Sequence, residues 1–279
     1  MKQKVVLVTG ASSGIGFEAA RMLAERGHRV YAAARRVELM EPLRMFGVTP
    51  LKMDVTDDSS MSDGVKLLLQ NEGRIDILVN NAGYGYFGAV ECVDMAEARR
   101  QVEVNLFGLA RLCQLVIPSM RSQRSGRIVN ISSVAGRMAV GFGGWYNVTK
   151  YSVEAISDAM RMELKPFGID VVLIEPGPIK TDWGLIAARH LRDSSCGTAY
   201  ESEAAALADF MRWGYMSNWL SKPGVVAKAI RKASLSRCPR VRYVVGFGAR
   251  SMLFFHSILP ARCWDALMRA SAKMRRSAK

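Results

Sequence analysis

At 279 residues with 49% hydrophobic content, the chain is long enough to bury one large α/β core, and no composition shift marks a domain boundary within residues 1–279. A formal charge of +14 would suit anionic ligands, membranes or nucleic acid, but the basic residues are scattered and never interleaved with aromatics, so nucleic acid is not expected. Five cysteines without a C-x-x-C pair and three widely separated histidines argue against a disulfide framework, a metal site or a histidine triad, and fit a reducing cytoplasm.

No run approaches the roughly 18 consecutive apolar residues that a membrane span needs. Residues 5–8 are a β-branched strand running into a loop with glycines at 10, 14 and 16, and an alanine-rich helical pattern follows. Such a strand–turn–helix aims backbone N–H groups and a positive helix end at one spot, where residues lacking Cβ let an anion approach. The G-x-x-x-G-x-G spacing is not the general dinucleotide fingerprint. Residues 28–34 predict a second strand ending in Arg35 and Arg36, and residues 48–55 a third, closing on Asp54. Thr56 is then expected to cap a helix with Asp57 and Asp58 in its first turn. Residues 75–79 form a fourth strand leading to Asn80-Asn-Ala-Gly83 and Tyr84, with one long helix over about 94–122 after it. A fifth strand (127–131) precedes Ser132 and Ser133, a helix covers 146–165, and a sixth strand (169–174) runs to Glu175 and Pro176. This alternation predicts a parallel sheet covered on both faces, with ligands beyond the carboxyl ends of its strands. An aromatic-rich helical insertion over about 181–223, a helix, a short strand (241–245) and a helical extension over about 248–279 complete the chain.

Tyr146 and Lys150 lie one helical turn apart on the same side. An ammonium beside a phenol favours the phenolate, which would make Tyr146 a usable proton donor and acceptor near neutral pH. Ser133, at the end of the fifth strand, is placed to meet Tyr146 across the crevice. At the end of the second strand, where an NAD site carries an acid, this chain has Ala34 followed by Arg35 and Arg36. Their planar forks suit a 2′-phosphate, which predicts NADP(H) in preference to NAD(H).

Over most of its length the chain resembles the short-chain dehydrogenase/reductase family. Thr9-Gly-Ala-Ser-Ser-Gly-Ile-Gly16 matches that family's T-G-x-x-x-G-I-G loop, and Asn80-Asn-Ala-Gly83 its N-N-A-G. Asn105, Ser133, Tyr146 and Lys150 match its catalytic tetrad, and Pro176-Gly-Pro-Ile-Lys-Thr181 its nicotinamide segment. The resemblance implies a single-domain Rossmann fold, a doubly wound α/β sheet of seven parallel strands in the order 3-2-1-4-5-6-7. It also implies an NAD(P)(H)-dependent interconversion of alcohol and carbonyl by a homodimer or homotetramer paired through the two long helices.

By the same resemblance Tyr146 is the general acid or base and Ser133 orients the carbonyl. Lys150 holds the nicotinamide ribose and lowers the pKa of Tyr146, while Asn105 positions a relay water. Gly10, Ser12, Ser13, Gly14, Ile15 and Gly16 would form the cofactor loop. Asp54 and Val55 would lie by the adenine, Asn81 and Ala82 by the adenosine ribose side, and Ile179 and Thr181 by the carboxamide, with Gly83, Pro176 and Gly177 also binding the cofactor. Several features are most similar to the branch that includes 17β-hydroxysteroid and retinol dehydrogenases, so a lipophilic substrate touching Ser133, Tyr146, Tyr84, Phe142 and Trp183 is expected. A catalytically silent NADP(H) sensor of the same fold is the alternative. Two questions stay open: whether the aromatics of the insertion form a lid or ordinary core, and whether the basic amphipathic end (Arg262, Arg269, Lys273, Arg275, Arg276) packs on protein or lies on an anionic membrane.

Overall fold

A computed structural model describes residues 3–273, so Arg275 and Arg276 at the chain's end lie outside the described residues. Seven strands, β1 (Val5–Thr9), β2 (Arg29–Ala34), β3 (Thr49–Lys52), β4 (Ile77–Asn80), β5 (Gly126–Ile131), β6 (Ile169–Pro176) and β7 (Arg242–Val245), pair in the order β3-β2-β1-β4-β5-β6-β7. Every pairing is parallel. The order reverses between β1 and β4, and the crevice opens at the carboxyl ends there.

Alternate side chains of the strands feed two cores. Val6 and Val8 of β1 face α1 (Gly14–Ala24) and α8 (Pro223–Leu235), meeting Ala20, Leu23, Val226 and Ile230. Val5 and Leu7 face the other way, toward α2 (Asp58–Glu72), α4 (Gly108–Ser122) and α5 (Gly144–Leu164). Leu7 is fully buried, so Leu7→Ala should cost about 2–5 kcal/mol through lost transfer energy and the cavity left behind. At the amino ends of the strands, Asp76 accepts the Val5 N–H at 2.8 Å and pairs with Arg74 at 2.6 Å. Burial opposes its ionisation, but the Arg74 and Val5 bonds and the Lys4 charge win and hold the carboxyl below its usual range.

Four details differ from the sequence reading. The third strand is only Thr49–Lys52, and a 3-10 segment over Val37–Phe46, absent from the periodic pattern, leads into it. Asp57, not Thr56, caps α2: its carboxylate accepts the Ser59 and Ser60 N–H groups, while Thr56 donates its hydroxyl to Asp54. The long helix is α3 (Met95–Val102) and α4 joined by a π segment, Glu103–Phe107. By length and mean hydropathy the stretch Met95–Ser122 could cross a membrane, yet Leu109, Leu112, Val116 and Met120 are buried against the sheet. Beyond β6 come α6 (Asp182–Ser195), α7 (Glu201–Met216), α9 (Ala249–Ile258) and α10 (Ala261–Lys273).

Candidate active site

The loop from β1 into α1 is fixed by backbone contacts. Gly10 and Gly14 take φ of 62° and 56°, left-handed values that strain other residues, and a Cβ on Gly10 would sit 2.8 Å from the Ala82 Cα. A Cβ on Gly16 would meet the Gly10 carbonyl. The Thr9 hydroxyl accepts the N–H groups of Asn81 and Ala82 at 3.0 and 3.1 Å, and the Asn81 amide donates back to the Thr9 and Gly10 carbonyls. These bonds lock the two loops beyond β1 and β4 together. Ser13 starts α1 with no side-chain capping bond, and the first turn holds no acid, so the positive helix end is left for an anion.

At the end of β2, Arg35 and Arg36 are exposed on the same cleft, and neither forms an ion pair among the described residues. Asp54 is occupied by Thr56, whose N–H and hydroxyl it accepts at 3.0 and 2.8 Å. An uncapped helix end, left-handed glycines and two unpaired guanidinium groups are what a phosphorylated dinucleotide requires, so the residues present fit an NADP(H) cofactor.

The reacting groups meet on the other side of the crevice. Tyr146 is 8% exposed, enclosed by Trp183 and Phe87 with ring centroids at 5.1 and 5.7 Å. Burial pushes its phenol up to about 12, and a hydrogen bond with Ser133 works in the opposite direction. The Lys150 ammonium donates to the Ile131 carbonyl at 2.8 Å and lies 5.8 Å from the Tyr146 ring centroid. Burial brings it down to about 8, with the Glu154 carboxylate opposing. In the chain by itself the ammonium is directed at the Ile131 carbonyl, and desolvation is the largest influence on the phenol.

Asn105 sits in the π segment with its side chain fully engaged. It accepts the Tyr84 N–H at 3.0 Å and donates to the Tyr84 carbonyl and the Thr149 hydroxyl at 2.8 and 3.1 Å. A Cβ on Gly83 would lie 3.0 Å from the Asn105 Oδ1 and 3.8 Å from the Lys150 Nζ, so this glycine keeps open the space between the two.

A family model described as short chain dehydrogenase matches residues 4–187. The chain belongs to the short chain dehydrogenase family. Its members are oxidoreductases, and this one acts on CH–OH groups. A probable short-chain type dehydrogenase/reductase of Helicobacter pylori, VdlC, is 36% identical over 265 residues, spanning 95% of this chain and 96% of its own. The 3-ketodihydrosphingosine reductase of Bacteroides thetaiotaomicron is 41% identical over 182 residues, 65% of this chain and 66% of its own. A metagenomic short-chain oxidoreductase crystallised with NADP superposes with a TM-score of 0.69 at 25% identity, covering 87% of this chain and 96% of that one.

Within this family member, the cleft over the sheet has a volume of about 1310 Å³. Of the residues anticipated from sequence, the cleft is lined by Gly10, Ser12, Ser13, Gly14, Ile15, Arg35, Arg36, Asp54, Val55, Asn81, Ala82 and Gly83 on the nucleotide side. Ser133, Tyr146, Lys150, Pro176, Gly177, Ile179, Thr181, Tyr84, Phe142 and Trp183 line the rest. Gly16 and Asn105 are buried behind that lining. Sequence reasoning missed Asn147, whose amide donates to the Ala135 and Met138 carbonyls and accepts the Val140 N–H, fixing the loop that faces Tyr146. It also missed His190, stacked on Tyr86 at 4.5 Å, whereas Met252, Met268 and Arg269, which line the cleft from α9 and α10, belong to the amphipathic end that the sequence singles out. The spacing of Asn147 and His190 carries no periodic signal, since each arrives from a different element.

Proposed function

We propose that this chain is an NADP(H)-dependent oxidoreductase that interconverts a hydroxyl and a carbonyl on a lipophilic substrate, with Tyr146 as the acid and base. The observation that carries the reading is the buried Tyr146 phenol, walled by Phe87 and Trp183 and lining, with Ser133, one cleft that also holds the uncapped end of α1. In the reductive direction Ser133 and Tyr146 hold the carbonyl oxygen, and the Tyr146 hydroxyl gives it a proton as negative charge develops. Lys150, buried beside the phenol, stabilises the phenolate left behind once its ammonium turns from the Ile131 carbonyl. Gly10, Ser13, Arg35, Arg36, Lys150 and Thr181 would hold the cofactor, whose nicotinamide supplies or accepts the hydride when bound. Trp183 and the helices above it exclude water from the reacting atoms.

The apolar walls Val140, Leu207, Phe210 and Met211 support a lipophilic substrate, as does the ketosphingoid named for the Bacteroides relative. We also infer a cytoplasmic homo-oligomer paired through α4 and α5, because Phe107, just before α4, and Val148 and Tyr151 of α5 are exposed. Sedimentation of a monomer at micromolar concentration would end that pairing. The activity is tested by following nicotinamide absorbance while NADPH is offered a long-chain 3-ketone, a steroid ketone, retinal and a short polar ketone. Turnover with the lipophilic carbonyls and its loss in Tyr146→Phe are expected, whereas preference for the short polar ketone would overturn the substrate class.

A further inference from the structure

The largest exposed apolar side chains away from α4 and α5 gather where the cleft opens. Trp219 lines the cleft and is nonetheless 45% exposed, and its ring meets Trp213 at 6.1 Å and Phe247 at 5.7 Å. Phe247, 62% exposed, leads directly into α9, whose inner residues Met252 and Leu253 pack toward Trp264 of α10. The outer stripe of α9, Phe254, Phe255 and Ile258, is more than half solvent-facing or close to it. Met252 and Arg269 line the same cleft as Trp219, so α9, α10 and the turn after α7 converge on one rim.

The charge on these segments is predominantly positive. Residues 210–222 contain Arg212 and Lys222 and no carboxylate, and residues 247–270 contain Arg250, Arg262 and Arg269 against a single acid, Asp265. All five bases are exposed. A soluble chain has little reason to expose a ringed aromatic surface inside a cationic border. A second copy is a poor occupant: a two-fold contact would set this cationic rim against itself. An anionic bilayer matches both features, because Trp and Phe rings settle at the headgroup level while Lys and Arg hold the headgroup charge.

We propose that the mouth of the cleft is a membrane-docking surface, on which Trp219, Phe247, Phe254 and Phe255 enter the interface of an anionic bilayer and the surrounding arginines hold it there. The cleft then opens toward the phase in which a lipophilic substrate resides, a role that rests on the substrate class proposed above, although binding to the bilayer does not.

The test is sedimentation of the full chain with phosphatidylcholine vesicles, with and without phosphatidylglycerol, at low and high salt. Binding to the anionic vesicles, reversed by salt and weak on pure phosphatidylcholine, is expected. The triple variant Phe247→Ser/Phe254→Ser/Phe255→Ser should bind at least about tenfold more weakly while keeping its thermal midpoint and its activity on a water-soluble carbonyl. A charge variant, Arg250→Glu/Arg262→Glu, should lose the salt-sensitive part of binding even if the triple variant folds poorly. Failure of the wild type to sediment with anionic vesicles at low salt overturns the proposal. So does a wild-type dimer that the triple variant converts to monomer without any vesicle binding. Vesicle binding by a protein that reduces only polar ketones would keep the docking surface and discard the lipophilic substrate.

Discussion

The two sides of the cleft are held by different means. Around β1, β2 and β4 the walls are backbone: glycines in left-handed turns, the Thr9 hydroxyl joining two loops, and a helix end without a cap. Under α6 and α7 the walls are rings, with Trp183, Phe87 and Tyr146 in mutual contact and Tyr215 filling the space over Gly184. A backbone wall tolerates little change in its loop but is indifferent to the groups it does not touch, which suits a dinucleotide held through its phosphates. A wall of rings can be repacked one side chain at a time, which suits a substrate that differs between relatives.

Changes at the seam should have the largest effect. Tyr146→Phe is expected to cut turnover by about 100-fold or more while NADPH affinity, read by fluorescence titration, changes little. Equal loss of nucleotide binding would mean that the two sides are not separable.

On the backbone side, Arg35→Ala should weaken NADPH by about 10- to 100-fold and leave NADH nearly unchanged, since hydrogen bonds to a charged group contribute roughly 1.5–3 kcal/mol each. Matching losses for both nucleotides would show that Arg35 does not see the 2′-phosphate.

Among the rings, Trp183→Ala removes the ring nearest Tyr146 and lets water reach the phenol. It should lower kcat/KM by about tenfold and move the alkaline limb of the pH profile downward, because burial is the chief cause of the raised value. Dissociation constants for NADPH should not move, and a large change there would place Trp183 in the nucleotide site.

The smallest effect concerns stability. Lys150 titrates at about 8 when folded against 10.5 ordinarily, so the unfolded chain holds more protons between these values and stability rises with pH across that window. Tyr146, raised to about 12 from 10, acts in the opposite sense only above pH 10. Below pH 8 the folded chain carries a buried charge. Lys150→Met should accordingly raise the cofactor-free melting midpoint at pH 7 by about 3–6 °C and lose that advantage above pH 10.5. A midpoint that falls instead would show that the ammonium's bond to Ile131 outweighs its desolvation.

The same contrast explains what the sequence revealed. Gly10, Gly14 and Asn81 were legible because a turn of fixed geometry demands those residue types at fixed spacing, and Tyr146 and Lys150 because one helical turn separates them. The strand order followed from the family motifs, and alternating strands and helices supplied the parallel sheet. Asn147 and His190 were hidden because their roles depend on which helices pack together, which spacing within one element does not encode. Thr56 misled because a threonine followed by two acids resembles a capped turn, and only the observed bonds show that Asp57 reaches the Ser59 and Ser60 N–H groups. The direction of the Lys150 ammonium, toward the Ile131 carbonyl, was not legible either, because one helical turn fixes the side of the helix that a residue faces and not where a flexible ammonium points.

The pairing of β1 with β4 also has a kinetic consequence. The Asp76–Val5 and Thr9–Asn81 bonds join residues 71 and 72 positions apart, whereas β1 and β2 are linked by one short helix. A loop that long closes slowly relative to local pairing, so the nucleotide crevice belongs to a late event in folding. NADPH should then slow unfolding without accelerating refolding, and a chevron in which only the unfolding limb moves with added nucleotide would show it.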